Sequence, residues 1–160
     1  MPYTREKVSS LILELRKLQH EVPWVEFKSN NFTPDLIGEN ISALSNAAAL
    51  HDRSHAYLVW GIDDETHDLI GTDFDPQEMK KGNQSLDLWL STLIKPQTQF
   101  YFHSLTIDAK KVVLLEIHRA SHMPVKFKEV EYIRIDCNKK KLKDYPDIEK
   151  ELWQIFSRIT

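Results

Sequence analysis

The sequence predicts an α+β fold, a mixed and mainly antiparallel β-sheet packed with about four helices, and three observations predict it. Short apolar runs at strand period recur between residues 24 and 136. Helical stripes at 3.6-residue spacing interrupt them without any regular βαβ repeat, which argues against a doubly wound parallel sheet. The length of 160 residues, 41% of them hydrophobic and 28% charged, is enough for one domain with a hydrophobic core and too short for two ordinary ones, so residues 1–160 read as a single domain.

The elements follow in chain order. Thr4 is the expected N-cap of a first helix reaching about residue 20, with Val8, Leu11, Ile12, Leu15 and Leu18 on one stripe. Pro23 precedes Trp24-Val25-Glu26-Phe27-Lys28, an alternating half-buried strand. Trp24, Glu26 and Lys28 share one side of it, and Val25 and Phe27 point into the core. Ser29-Asn30-Asn31 turns the chain, and Thr33 with Pro34 opens a second helix that carries Ile37, Ile41, Leu44 and Ala48 to about Leu50.

A polar connector over residues 51–55 leads into 56–62, the strongest buried-strand signal, expected at the centre of the sheet. After a turn at 63–67, residues 68–72 are expected to return beside it as a hairpin. A third helix centres on 86–93 and stops before Pro96. Strands at 100–107 and 111–118 flank a turn at 108–110, and two shorter ones at 125–128 and 132–136 flank 129–131. A basic loop leads to a last helix, about 146–158, begun by Pro146, with Ile148, Leu152, Trp153, Ile155 and Phe156 inward.

Composition excludes several classes. The longest apolar runs, such as Val112 to Leu115, span neither a bilayer nor the core of a signal peptide, so no membrane partner and a cytoplasmic location are expected. The single cysteine, Cys137, fits a reducing compartment and carries no catalytic signature. Gly38, Gly61, Gly71 and Gly82 are the only glycines and form no phosphate-cradling loop, which excludes an ATPase or helicase motor. His51, His55 and His67 lack the spacing of a known zinc motif and are not expected to bind metal. The net charge of -3 argues against bulk coating of nucleic acid, yet residues 119–143 hold eight basic side chains against three acidic ones.

Four linked signals then stand in one order: Glu21 with Glu26-Phe27-Lys28; Ile41-Ser42-Ala43-Leu44-Ser45-Asn46; residues 57–64 with Ile70-Gly71; and Pro124-Val125 with Tyr132-Ile133-Arg134. In this order the chain resembles the Schlafen AlbA_2 domain over roughly residues 15–136. The resemblance implies a DNA-binding domain of the kind found in prokaryotic transcriptional regulators and RecG-helicase-related proteins. Many members of that family continue into C-terminal helical DNA-binding or other regulatory domains, so the resemblance is compatible with this sequence being a fragment of a longer protein. One departure is that 47–55 fill a longer connection without glycine, where the family often has a glycine pair.

The resemblance to RNA-cutting Schlafen proteins implies an acidic trio, Glu21, Glu26 and Asp64, with Asp63 as substitute. Such a trio could hold Mg or Mn to activate water; the alternative is that Glu26 pairs with a base such as Lys28 and that Asp63 and Asp64 are turn residues. The nucleic-acid-contacting candidates are Lys28, Asn46, Tyr132, Arg134, Lys139, Lys140, Lys141 and Lys143. The lysines and Arg134 would meet phosphates, Tyr132 would stack on a base, and Asn46 would either read a base or close its helix in a left-handed conformation. A nucleic-acid-binding module, for DNA or RNA, is the leading expectation. A protein-interaction or sensor domain that self-associates is the first alternative, and a metal-dependent endoribonuclease the second.

Overall fold

The computed structural model describes residues 2–20 and 22–158. The first helix, α1, spans Arg5–Arg16, with the Thr4 hydroxyl accepting the Lys7 N–H as N-cap. Glu6 in its first turn and Arg16 in its last complement the helix dipole. It stops before the expected residue 20 because the Lys17 N–H closes back onto the carbonyls of Glu14 and Leu15. Strand β1 (Val25–Lys28) follows, then α2 (Pro34–Leu50) and β2 (His55–Trp60). A two-residue hairpin, β3 (Lys80–Lys81) with β4 (Gln84–Ser85), precedes α3 (Leu86–Leu93). The remainder comprises β5 (Ile94–Lys95), β6 (Phe100–Ile107), β7 (Lys110–His118), β8 (Lys126–Phe127), β9 (Val130–Ile135), β10 (Asn138–Lys141), a 3-10 turn (Leu142–Asp144) and α4 (Pro146–Arg158).

The strands form two four-stranded sheets, in the orders β1-β2-β7-β6 and β10-β9-β8-β5. Only the β1–β2 pair is parallel in them, so the α+β, mainly antiparallel expectation holds. Helix α2 lies between the sheets. Ile37, Ile41, Leu44, Ala47 and Ala48 share one core with Leu58 and Trp60 of β2, Leu115 of β7, Phe127 of β8 and Ile133 of β9. α4 closes that core with Leu152 and Phe156. Each such fully buried Leu, Ile or Phe contributes about 1.5–3 kcal/mol of burial free energy. The opposite face of the first sheet makes a second core with α1, built on Val8, Ile12, Val25, Phe27, Val59 and Leu114. Among the described residues no helix is long and apolar enough to cross a membrane.

Several expectations change. The hairpin of 56–62 with 68–72 reduces to one bridge between Ile62 and Leu69. Both edges of β2 are already taken, by β1 and by β7, so no ladder remains for residues 68–72. The returning segment is pinned instead at scattered points: the Gly61 carbonyl accepts the N–H groups of Ile70 and Gly71, the Asp68 carbonyl accepts the Asp63 N–H, and the Lys111 carbonyl accepts the Thr72 N–H. Thr33 stands at the N-cap of α2 before Pro34, as expected, but its side chain makes no capping bond, because its hydroxyl donates to Asn31 Oδ1 at 3.0 Å. The long connection expected at 47–55 is shorter: Ala47 to Leu50 complete α2, His55 already opens β2, and Asp52 makes the turn between them in the left-handed region at φ 55°. The basic loop is strand β10, paired antiparallel with β9 (Lys139 opposite Arg134, Lys141 opposite Tyr132). The turn before β9 is two residues, Lys128 and Glu129, both with positive φ, so Val130 and Glu131 already belong to the strand.

Candidate nucleic-acid interface

Glu26 and Lys28 stand on β1, on the side opposite the buried Val25 and Phe27, as their spacing requires. Glu26 Oε1 lies 3.3 Å from Lys28 Nζ, and Glu26 Oε2 lies 2.6 Å from Arg134 Nη1. Arg134 reaches across from β9 with its side chain only 2% exposed, and its Nη2 also donates to the Val25 carbonyl at 3.4 Å. Its buried Nε finds no partner among the described residues. The guanidinium is therefore a tie between the two sheets, not a free phosphate ligand.

Asn46 is fully buried four residues before the end of α2, in the helix and not at a left-handed terminus. Its Nδ2 donates to the carbonyls of Val125 (2.9 Å) and Tyr132 (2.8 Å), and its Oδ1 accepts the Val125 N–H (2.8 Å). Ser42, one turn earlier, donates to Val125 O and accepts the Tyr132 N–H. Ser45 donates to His118 O at 2.7 Å. These side chains supply partners for backbone groups that no ladder satisfies, where an unmet buried group costs about 1–3 kcal/mol. Asn46 has no amide group left to read a base.

The remaining basic candidates lie at the surface. Lys139 is ion-paired to Glu39 of α2, and its Nζ sits 5.8 Å from the centre of the Tyr132 ring. Lys140, Lys141 and Lys143 are exposed. Tyr132 is half-buried, and burial, with the nearby Glu39 and Asp35 carboxylates, pushes its hydroxyl pKa up, so it stays neutral. A neutral ring flanked by lysines is suited to stacking. A second basic and aromatic spot was not foreseen from the sequence: Lys81 and Lys128 lie 5.6 and 5.5 Å from the centre of the Trp89 ring, with Lys128 also paired to Asp35.

Of the acidic trio, Glu21 lies outside the described residues. Asp63 is occupied by its own turn, since Oδ1 accepts the N–H groups of Glu65 and Thr66 at 2.9 Å each. Those bonds, Thr66's first, hold its pKa below the usual carboxylate value. Asp64 is exposed beside it. Glu26 sits within β1, opposite Leu58, whereas Asp63 and Asp64 follow the end of β2.

A different cluster converges. His55 of β2, and Glu116 and His118 of β7, bring their ligand atoms within 4.8 Å of one another. Sequence reasoning named His55 only in a group with its chain neighbours. The missed signal was Glu116-Ile117-His118, an acid and a histidine two apart directly after the apolar run Val112 to Leu115.

A family model described as Schlafen, AlbA_2 matches residues 21–143. No curated protein sequence matches the chain. Two solved structures are similar in fold. One is a Corynebacterium diphtheriae protein with a TM-score of 0.50 and 14% identity, over 86% of this chain and 26% of that one. The other is the N-terminal domain of a RecG-related protein from Nitrosomonas europaea, with a TM-score of 0.50 and 18% identity, over 74% of this chain and 78% of that one. The chain thus spans about a quarter of the Corynebacterium protein.

Proposed function

This chain belongs to the Schlafen AlbA_2 family, and on that premise we propose that it is a nucleic-acid-binding domain that contacts the phosphate backbone through β10 and the turn after it. The observation that carries the reading is the exposure of Lys140, Lys141 and Lys143 beside the Tyr132–Lys139 pair. Exposed lysines neutralise phosphates and release counterions, and an adjacent neutral aromatic ring gives a single-stranded base a stacking surface. Lys139 borders this surface and is balanced by Glu39, while Lys28 stands on β1 and is balanced by Glu26. Arg134 and Asn46 act behind it, holding β9 in place. The Nitrosomonas protein is described as related to a DNA helicase, which accords with such a role.

Fluorescence anisotropy with short single- and double-stranded DNA and RNA, across a salt series, tests the proposal. Binding is expected to weaken steeply with salt. Replacing Lys140, Lys141 and Lys143 by Gln should weaken it roughly tenfold or more at low salt and flatten the logarithmic salt slope by about 2. Absence of binding to all four probes at low salt overturns the reading. Manganese-dependent cleavage of the RNA probe, lost in Glu26→Gln with the fold intact, would turn it into that of a nuclease.

A further inference from the structure

We propose that His55, Glu116 and His118 form a site for a transition-metal dication of the zinc class, on the face of the first sheet opposite α2 and independent of the nucleic-acid surface. The strand register builds it. Glu116 and His118 are two apart on β7 and so share a face, and the β2–β7 pairing sets His55 directly across from His118. His55 Nε2 lies 3.6 Å and His118 Nε2 3.2 Å from the same carboxylate oxygen, Glu116 Oε2. A tetrahedral ion with ligands at about 2.0–2.1 Å separates neighbouring ligand atoms by about 3.4 Å, so these distances bracket what such an ion requires.

The surroundings orient each ligand. The His55 Nδ1 is hydrogen-bonded to Ser54 Oγ at 2.8 Å, which leaves Nε2 to face the carboxylate. Glu116 Oε1 is engaged separately by the Tyr3 N–H and by His103 Nε2, each at 2.9 Å, so Oε2 is the oxygen left to the two imidazoles. Glu116 is fully buried, and among the described residues no lysine or arginine pairs with it. A buried carboxylate requires a counter-charge, and a metal ion bound by it and two neutral imidazoles supplies one.

Access and chemistry agree. His55 lines a surface pocket of about 220 Å³ with Trp24, Arg53 and Tyr57, and His118 lines a neighbouring one of about 390 Å³. Two imidazoles and one carboxylate suit zinc, cobalt or nickel. They do not suit magnesium or calcium, which take oxygen ligands. Three protein ligands leave a fourth position for water or an added group.

Calorimetric titration of the tag-free chain with zinc chloride, paired with visible spectroscopy of the cobalt complex, is the test. One zinc per chain is expected, with His55→Ala and His118→Ala each weakening it by roughly tenfold or more and His122→Ala leaving it unchanged. Should a variant fail to fold, imidazole nitrogen NMR of the wild type decides: zinc must shift His55 and His118 and leave His51 and His67 in place. Affinity unchanged in His118→Ala, or zinc shifts confined to other histidines, overturns the site.

Discussion

A guanidinium with a side chain 2% exposed must be balanced where it lies, and Arg134 is balanced by one carboxylate, Glu26, itself 21% exposed. The two partners are therefore unequal. Removing Glu26 strands a buried cation, while removing Arg134 leaves a carboxylate that can turn to Lys28 and to water. Glu26→Gln should cost about 2–3 kcal/mol, below the value for a fully buried pair because Glu26 is partly solvated. Arg134→Met should cost less, and the double variant should recover about 1–3 kcal/mol relative to the sum of the two. Urea unfolding of the four proteins measures this coupling, and strict additivity would refute it. The sequence shows Glu26 on the same side of its strand as Lys28, and that pairing forms. It could not show Arg134, because the decisive partner lies 108 positions away and only the packing of β9 against β1 brings it there. Asn46 was misjudged for the same reason: its partners belong to segments about 80 positions further on.

Helix α2 is the element whose sequence pattern carries the most meaning. A helix buried against one layer has a polar face. This one instead buries Gly38, Asn40, Ser42, Ser45 and Asn46 together with its apolar stripe. Small and hydrogen-bonding residues on the second face let it meet a second sheet. Gly38 is the closest approach, since a Cβ there would stand 2.2 Å from the nearest ring carbon of Phe127 on β8. Gly38→Ala would gain up to about 1 kcal/mol of helix propensity, but overpacking typically costs about 1–3 kcal/mol, so net destabilisation is expected. Thermal unfolding checks the sign, and a raised midpoint would mean that Phe127 yields freely. Elements set by local chemistry were legible. β6 and β7 begin and end almost where alternation places them, because Asp108 and Ala109 form the positive-φ turn between them. The hairpin expected at 68–72 failed because strand pairing is a competition, and β1 and β7 occupy β2 from elsewhere in the chain.

At the scale of the whole molecule, two carboxylates set opposite slopes of stability against pH. Burial, with Glu149 nearby, raises the Glu131 pKa, and its cross-strand neighbour Lys126 offsets part of this. The folded state thus holds that proton more tightly than the unfolded one, and its contribution is lost as pH rises through the folded value. Asp63 works in the other direction: its pKa is lowered by backbone hydrogen bonds, so its contribution is present at neutral pH and lost on acidification. Glu131→Gln should raise the melting temperature at neutral pH, and the gain should vanish below about pH 4. Melting curves across that range check it, and a gain that persisted in acid would exclude the titration as its cause. The placement of α2 between two sheets bears on motion as well as on stability. With a sheet on either side and α4 over the core, the helix from Asn40 to Ala49 has no solvent-facing flank along which to fray, and the amide protons there can meet water only after one of these neighbours has been lifted away. α1, packed on the far face of the first sheet, can peel off and return without disturbing them, so the slowest clock in the molecule belongs to its middle and not to its ends.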